Sequence, residues 1–517
     1  MATSQILMVV AMGAYLISMI LVGVVFSKRS SNSSGDYFLG GRQLGPVVTA
    51  MSAEASDMSS WLLMGIPGLV LFTGLAEAFW TILGLAVGTY LNFLFVAKPL
   101  RIYSEKIEAI TVPEFISKRL GDNAGILRGI AALIIVVFFI PYTASGFSAI
   151  GKLFNTLFGF DYLPCMLIGA AVIIIYTILG GFLAVSVTDL IQSIVMTFAL
   201  IIILFFGTKT AGGLDNVIDN AKSIPSFFSL TNSANIATKE TSPYGFLTIV
   251  STMAWGLGYF GMPHILVRFM GIHDPKKLKV SRRIGSIWVV ISMAIACVIG
   301  VIGFGAVTKG AFGSGFAFAN ANEAETIIVK FSNLLAEHGA FFAIVGGLIL
   351  AGILASTMST ADSQLLAASS SVSEDLICGV FKAKVSAKAK LWIARISVVV
   401  ISIVAALIAL NQDSSVFRIV SFAWAGFGAA FAPVILMSLF WKRTNKWGAL
   451  AGMVSGAALV FIWKFLLRPL GGLWDIYELL PAFIVAIIVI VVVSLLTEKP
   501  DDSIVETFDQ VKAECKK

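Results

Sequence analysis

Apolar runs long enough to cross a lipid bilayer recur along this 517-residue chain. A membrane helix needs about 20 apolar residues, and only 13% of the residues are charged, against about 25% in soluble proteins. Backbone inside a bilayer must satisfy its own hydrogen bonds, so runs of this length predict helices. We predict thirteen spans, near residues 6–26, 46–71, 75–97, 125–152, 163–179, 185–207, 244–270, 284–307, 338–366, 392–410, 416–440, 447–466 and 477–496. The sequence therefore predicts an all-α, polytopic membrane protein.

Basic residues are concentrated in alternate loops. Most of the 36 Lys and Arg side chains follow spans 1, 3, 7, 9 and 11 or lie in the tail, and cytoplasmic loops are the ones enriched in such residues. Nothing basic precedes the first run, whereas Lys28 and Arg29 follow it, which disfavours a cleavable signal peptide. We expect a multi-pass protein of the plasma membrane, with its N-terminus outside and its C-terminus in the cytoplasm.

Other sequence features exclude several classes of protein. No GxxxxGK[ST] motif is present, which disfavours an ATP-driven pump. The four cysteines and three histidines form no metal-binding or disulfide pattern, and the net charge of +7 reflects topology, not nucleic-acid binding. Gly180-Gly181 predicts a tight turn between spans 5 and 6. We expect one transmembrane domain over 1–497, with span 1 at 6–26, a core of spans 2–11 over 46–440, spans 12–13 over 447–496, and a short cytoplasmic tail over 498–517.

Span 2 carries polar residues that a lipid-facing helix does not tolerate. Ser52, Ser56, Ser59 and Ser60 follow helical spacing and form one polar stripe, and Asp57 lies among them. A carboxylate at the centre of a bilayer costs about 2.5–3.5 kcal/mol even on an insertion scale. We therefore expect Asp57 to face protein or a water-filled cavity and to have a cation as partner. Serines alone also permit close helix packing.

Two further spans depart from a plain apolar helix. Span 7 has three glycines and a proline between Trp255 and Pro263, which predicts a break in the helix. Span 9 ends with hydroxyls on one face, at Ser356, Ser359, Thr360 and Ser363, and such oxygens suit a small hard cation. Asp362 is either a second charge near that site or a cap at the cytoplasmic helix end, and we favour the cap.

Discontinuous helices in two halves of a chain are typical of secondary transporters. In these proteins the unwound carbonyls bind Na⁺ or H⁺, and helix N-termini receive the substrate. The pattern alone does not choose between the two ions. An ion channel and an intramembrane enzyme are the competing classes; the chain has no repeated filter-like loop, and Asp57 has no plausible histidine or metal partner.

Several separated motifs resemble the sodium:solute symporter family, and within it the branch that carries proline. They are Leu39–Arg42, Ala55–Ser59, Trp61–Gly65, Gly180–Val185, Trp255–Gly261, Pro263–Leu266 and Met358–Thr360. The resemblance extends over nearly the whole chain. It implies a LeuT-like core of two inverted five-helix repeats, spans 2–6 and 7–11, and Na⁺-coupled symport of L-proline by alternating access. Na⁺ is then a co-transported ion, the lipid bilayer is the surroundings, and no obligatory protein partner or enzymatic activity is expected.

The resemblance also implies roles for individual residues. The Na⁺ ligands implied are the carbonyls of Ala55, Met58 and Ser356 and the hydroxyls of Ser359 and Thr360, with Asp57 and Ser59 assisting. The implied substrate pocket consists of Tyr142, Trp255, Tyr259 and Pro263, and Arg42 and Asp189 match positions that act in coupling or ion access.

The chain departs from the family pattern at several positions. Glu54 and Ser60 stand where family members carry glycine, and Ser356 replaces an alanine. Glu54 could bind a proton, tune ion affinity or pair with a cation such as Arg42. Pro141 and Met262 lie in or beside the pocket segments, so the substrate could also be another small amino acid, a carboxylate or pantothenate. H⁺ is the alternative coupling ion.

Overall fold

The computed structural model describes residues 2–27, 33–236, 238–411 and 415–516, and these residues are almost entirely helical. Lys28 and Arg29, used above for topology, lie outside the described residues. The helices are α1 (Thr3–Ser27), α2 (Ser34–Leu39), α3 (Pro46–Ala55), α4 (Ile66–Thr73), α5 (Ala76–Leu91), α6 (Ala97–Lys106), α7 (Val112–Arg119), α8 (Ile126–Phe158), α9 (Tyr162–Thr210), α10 (Leu214–Lys222), α11 (Phe246–Met253), α12 (Pro263–Met270), α13 (Leu278–Thr308), α14 (Ala321–Ala324), α15 (Ile327–Ala336), α16 (Ala340–Ser370), α17 (Ala387–Ile408), α18 (Val416–Phe440), α19 (Lys446–Ile462), α20 (Leu479–Leu496) and α21 (Asp502–Cys515).

Two short strands lie in the long polar segment before span 7. Strands β1 (Asn232–Ala234) and β2 (Thr241–Pro243) pair antiparallel, with Ser233 opposite Ser242. They lie on the side predicted to be extracellular. Among the described residues they are the only strand pair, so the predicted all-α class holds.

In the described part of the chain, ten helices are long and apolar enough to cross a membrane by length and composition. The longest, α9, has 49 residues but turns at Gly181, where φ is 62° and ψ is −177°. A residue with a Cβ rarely adopts such a backbone, so the turn predicted at Gly180-Gly181 is present and divides α9 between predicted spans 5 and 6. The full count of thirteen spans stays a prediction.

Predicted spans 2 and 7 are discontinuous, as the sequence indicates. Helix α3 ends at Ala55 and helical structure resumes at Trp61 with a π-helical turn that leads into α4. In span 7, α11 gives way to a 3₁₀ stretch over Ala254–Gly261 before α12 begins at Pro263. Span 9 is different, because α16 continues without a break from Ala340 to Ser370.

Glycines bring the broken part of span 7 into direct backbone contact with its neighbours. A Cβ added to Gly84 or Gly88 of α5 would lie 2.3 Å from the carbonyl oxygen of Met253 or Gly256. A Cβ on Gly258 would lie 2.0 Å from Nε1 of Trp424 in α18. Such small residues let membrane helices approach closely, and here they fix the position of the 3₁₀ stretch between α5 and α18.

The segment predicted to be a short tail folds as α21 and packs on the end of the bundle that is predicted to be cytoplasmic. Nζ of Lys98 donates to the carbonyl oxygen of Cys515 at 2.8 Å. The guanidinium of Arg119 lies 4.9 Å from the ring centroid of Phe508, within the range of a cation–π contact. The tail is therefore docked against the ends of α6 and α7.

Candidate functional site

The break in span 2 frees main-chain carbonyls at the centre of the bundle. The amide of Met58 still donates to the carbonyl of Glu54 at 2.9 Å, but the amide of Ser59 turns to the carbonyl of Asp57 at 2.8 Å. Regular i to i−4 bonding therefore ends with the bond to the Glu54 carbonyl. The carbonyl oxygen of Ala55 is left to accept hydrogen bonds from outside its own helix.

Two hydroxyl groups of α16 donate hydrogen bonds to the Ala55 carbonyl. Oγ of Ser359 donates to the Ala55 oxygen at 2.8 Å and lies 3.1 Å from the Ser356 oxygen. Oγ1 of Thr360 lies 3.5 Å from the Ala55 oxygen and 3.2 Å from the Ser356 oxygen. All four residues are buried. Four of the five predicted Na⁺ ligands, from segments about 300 positions apart, thus meet in one cluster of oxygens.

Met58, the fifth predicted ligand, is fully buried in the same break. The hydroxyls of Ser359 and Thr360 form no hydrogen bond to its carbonyl in the described residues. Ser59, predicted to assist, accepts a hydrogen bond from the amide of Trp61 at 3.4 Å through its hydroxyl oxygen. Both residues therefore belong to the break, and among its described residues only Ala55 accepts hydrogen bonds from α16.

Asp57 connects the two broken helices. Its Oδ2 accepts a hydrogen bond from the hydroxyl of Tyr259 at 2.6 Å, and its main-chain oxygen accepts from Nε1 of Trp61 at 2.9 Å and from the hydroxyl of Tyr142 at 3.3 Å. The residue is fully buried and its Oδ1 has no partner in the described residues. The predicted ion-site carboxylate and two predicted substrate residues are therefore in direct contact.

Trp255 lies in a cluster of aromatic rings. The centroids of Tyr477, Phe417, Trp424 and Trp61 lie 5.2, 5.4, 6.1 and 6.4 Å from that of Trp255. Nε1 of Trp424 also donates to the main-chain oxygen of Trp255 at 2.7 Å. Trp424, Phe417 and Tyr477 are site residues that the sequence motifs do not indicate, although Trp424 lies mid-span just as Trp255 does.

Pro263, the fourth predicted pocket residue, is the first residue of α12 and is buried. Proline suits a first helical position because that residue has no partner for an N–H group. No hydrogen bond or ring contact in the described residues joins Pro263 to the aromatic cluster. Its observed role is to restart the helix after the 3₁₀ stretch.

A cavity of about 260 Å³ opens beside Trp255 on the side predicted to be extracellular. Trp255 and Tyr477 lie at its inner end, and two ion pairs line its mouth: Arg418 with Glu77 at 2.9 Å and Arg468 with Asp475 at 3.0 Å. The cavity connects solvent with the aromatic cluster.

A buried ion pair closes the opposite side of the site. Nη2 of Arg268 lies 3.2 Å from Oδ2 of Asp189, which also accepts from the Ser52 hydroxyl at 2.6 Å. Arg268 further donates to Oγ of Ser52 at 3.0 Å, to the carbonyl oxygen of His264 at 2.7 Å and to the Ser363 hydroxyl. These contacts tie α3, α9, α12 and α16 together. The family resemblance implies a coupling role for Asp189, whereas no motif in the sequence singles out Arg268 as its partner.

Arg42 lies further toward the end predicted to be cytoplasmic and holds three segments together. Its guanidinium donates to the carbonyl oxygens of Met270 at 2.6 Å, Ala109 at 2.8 Å and Ser104 at 3.0 Å. Burial, together with the nearby charge of Arg101, lowers the pKa of Arg42 to about 10. The residue forms no ion pair with Glu54 in the described part of the chain, so that possible role of Glu54 is not observed.

The preferred interpretation of Asp362 as a helix-end cap is wrong. Asp362 lies inside α16, which continues to Ser370, and the residue is fully buried. Its Oδ1 accepts from the Ser363 hydroxyl at 3.1 Å. In the sequence, a polar face within a helix looks like the polar end of a helix, but the polar residues of α16 face the interior of the bundle.

The ring centroid of His264 lies 5.4 Å from that of Phe139, so this histidine packs against an aromatic ring.

Comparison with known proteins places the chain among transporters. The family model of the sodium:solute symporters matches residues 37–456. The chain is 43% identical to the high-affinity proline transporter PutP of Bacillus subtilis over 499 residues, covering 95% of this chain and 98% of the relative. It is 41% identical to the osmoregulated proline transporter OpuE of the same organism, over 95% of each chain. It is also 41% identical to a sodium/proline symporter of Staphylococcus aureus, over 97% of this chain and 95% of the relative.

Solved structures share the fold. A Na⁺-coupled sialic acid symporter in a substrate-bound, outward-open state superposes with a TM-score of 0.77 at 21% identity, over 96% of this chain and 99% of the other. The nucleobase-cation symporter Mhp1 in a closed conformation gives 0.53 at 13% identity, over 93% and 98%. The predicted LeuT-like architecture is confirmed, and the protein is a multi-pass membrane transporter, not an enzyme. The chain belongs to the sodium:solute symporter family.

Proposed function

We propose that this protein carries L-proline into the cell together with Na⁺ by alternating access. It would lie in the plasma membrane with its N-terminus outside and its C-terminus in the cytoplasm. The names of three relatives at 41–43% identity, each a proline transporter or sodium/proline symporter, support proline as the substrate. The geometry of the two helix breaks supports coupling between ion and solute.

The Na⁺ site is assigned to the oxygens between α16 and the break in span 2. The carbonyls of Ala55 and Ser356 and the hydroxyls of Ser359 and Thr360 already approach within 2.8–3.5 Å of one another. Neutral oxygens from an unwound helix are the ligands that secondary transporters use for Na⁺. Small movements of the two hydroxyls would turn their lone pairs toward an ion, and the carbonyl of Met58 completes the set.

The proline site is assigned to the aromatic cluster and the two tyrosines on Asp57. Free proline has a cationic amine, a carboxylate and an apolar ring. An aromatic face attracts a cation with about 0.5–2 kcal/mol, and the ring of Trp255 also offers an apolar wall. The hydroxyls of Tyr142 and Tyr259 supply polar contacts, while Pro263 fixes the end of the pocket segment.

The hydrogen bond between Tyr259 and Asp57 is the observation that carries the coupling mechanism. Na⁺ bound to Ala55 and Met58 would order the backbone on both sides of Asp57. The ordered carboxylate then holds Tyr259 in the pocket through the 2.6 Å bond. Occupation of the ion site therefore prepares the solute site, and in return the solute stabilises the ion site.

The arrangement of cavity and ion pair corresponds to an outward-facing state. The cavity reaches Trp255 from the predicted extracellular side, whereas Arg268 and Asp189 join four helices on the other side. Entry of Na⁺ is favoured by the membrane potential with about 2.3 kcal/mol per 100 mV and elementary charge. Inward opening requires this ion pair to separate or to move as a unit.

Uptake into proteoliposomes tests the function. We expect rapid uptake of labelled proline under an inward Na⁺ gradient and little uptake when Na⁺ is replaced by choline at the same potential and pH. Equal rates in the two buffers would exclude sodium coupling, and uptake driven by a pH gradient alone would make H⁺ the coupling ion. Unlabelled small amino acids, carboxylates and pantothenate, added as competitors, identify the substrate, and inhibition by proline alone is expected.

Replacing Trp255 with alanine is expected to raise the KM for proline by about 3- to 30-fold, which corresponds to the loss of roughly 0.5–2 kcal/mol of aromatic contact. The Na⁺ dependence should change less, because among the described residues no hydrogen bond or ring contact joins Trp255 to the proposed ion ligands. Trp255→Phe keeps an aromatic face and should restore most of the affinity. An unchanged KM in Trp255→Ala would place the proline pocket elsewhere.

A further inference from the structure

Glu54 is a buried carboxylate that neither the ion site nor the solute site uses. It lies in the last turn of α3 with 1% of its surface exposed. Its Oε2 is 3.5 Å from the hydroxyl of Thr89 in α5, and its Cγ is 3.3 Å from where a Cβ on Gly285 of α13 would lie. The side chain thus points toward α5 and α13, whereas the carbonyl of its neighbour Ala55 faces α16.

No positive side chain neutralises this carboxylate. Glu54 forms no ion pair in the described residues, and its strongest charged neighbour is Asp57. Two carboxylates therefore share one interior region without a cationic partner. Burying unpaired charge in protein costs several kcal/mol per ion, and a folded protein compensates such charge with a counter-ion or by neutralising it.

Other oxygens of the same region also lack partners. Asn92 lies one helical turn after Thr89 on the same face, with 1% of its surface exposed. Its Nδ2 donates to the carbonyl of Tyr259 at 3.0 Å, while its Oδ1 has no partner in the described part of the chain. Oδ1 of Asp57 is likewise without a partner. The hydroxyl of Tyr259 donates to the other carboxylate oxygen of Asp57, Oδ2, at 2.6 Å.

The balance of donors and acceptors indicates the kind of ligand. Glu54, Asp57 and Asn92 offer five side-chain acceptor oxygens, and among the described residues the hydroxyls of Thr89 and Tyr259 are the side-chain donors to them. An excess of acceptors with two negative charges suits a cation. Carboxylate and amide oxygens are preferred by small hard cations, and Na⁺ is the hard cation that this family handles.

We propose that Glu54, Asp57 and Asn92 form a second Na⁺ site, with the Thr89 hydroxyl as a further ligand. This inference rests on the proposed Na⁺-coupled transport and adds a stoichiometry of two Na⁺ per solute. The second site lies between α3, α5 and the 3₁₀ stretch of span 7, on the other side of the helix break from Ser359 and Thr360.

The accumulation ratio at equilibrium measures this stoichiometry. With a tenfold Na⁺ gradient and the potential clamped at zero, one coupled Na⁺ supports about tenfold accumulation of proline and two support about 100-fold. We expect about 100-fold for the unaltered protein and about tenfold for Glu54→Gln. Glu54→Gly, which restores the family residue, is the second variant and should also give about tenfold. Glu337→Gln, at an exposed position, is the matched control and should keep about 100-fold.

Two results would overturn the second site. One is a ratio near ten for the unaltered protein; the other is a ratio near 100 in both Glu54 variants. A ratio that follows a pH gradient in the unaltered protein but not in Glu54→Gln would show that H⁺ occupies Glu54, and would also exclude Na⁺ there. Failure of the proposed function looks different, because the unaltered protein would then accumulate no proline under any Na⁺ gradient.

Discussion

Replacing Asp57 with asparagine is expected to raise the Na⁺ concentration that half-saturates proline uptake by about 10- to 100-fold. The change keeps the size of the side chain but removes its charge. A hydrogen bond to a charged group contributes about 1.5–3 kcal/mol, against about 0.5–1.5 for a neutral pair. Asp57 accepts such a bond from Tyr259 at 2.6 Å and also lies beside both proposed Na⁺ sites, so the variant loses attraction for the ion as well.

The measurement is the rate of proline uptake as a function of Na⁺ at saturating proline. Tyr259→Phe is the matched control, because it removes the same hydrogen bond while Asp57 keeps its charge. It should raise the KM for proline more than the requirement for Na⁺. If Asp57→Asn showed the Na⁺ dependence of the unaltered protein, Asp57 would have no part in ion binding.

Replacing Arg268 with methionine is expected to open the cytoplasmic side of the transporter. Removing one partner of a buried ion pair costs about 3–5 kcal/mol, because the other charge is left unpaired. In the variant, Asp189 gains hydration when the inner side opens, so the equilibrium between the two states should shift by about 100-fold or more toward the inward-open state. Transport should be slow because the outward-facing state becomes rare.

Thiol labelling detects this shift. His264→Cys places a reporter at a residue that is fully buried, in a background in which the four native cysteines are replaced by serine. A membrane-impermeant thiol reagent applied to inside-out vesicles should label this cysteine rapidly in Arg268→Met and slowly in the parent. The double variant Arg268→Met with Asp189→Leu removes both charges, and labelling should return toward the slow rate. Slow labelling in Arg268→Met would contradict a gating role for the ion pair.

The two helix breaks were predictable because their residues disfavour continuous helix. Three glycines and Pro263 interrupt span 7, and a carboxylate among serines interrupts span 2. The contact between Ala55 and Ser359 was predictable only from the family resemblance, because hydropathy and periodicity carry no information about contacts between segments about 300 residues apart. The structure supplies that contact at 2.8 Å.

Other parts of the site were not predictable from periodicity. In the sequence Arg268 looks like one of many cations predicted to be cytoplasmic, and only the 3.2 Å contact between its guanidinium and Asp189 of α9 shows the ion pair. Trp424 and Tyr477 lie in apolar segments where lipid-facing and interior positions have similar compositions. The prediction that Asp362 caps a helix end is wrong for a related reason: a polar stripe shows which face of a helix is polar but not where the helix ends.

The central claim, that the two broken helices form one coupled unit for Na⁺ and proline, is tested most directly by equilibrium binding to the purified protein. The Kd of proline is measured with and without saturating Na⁺, and the Kd of Na⁺ with and without saturating proline. We expect each ligand to lower the Kd of the other by the same factor, about tenfold or more, and this factor should shrink in Tyr259→Phe. A proline Kd that does not change with Na⁺ would contradict coupling through Asp57 and Tyr259.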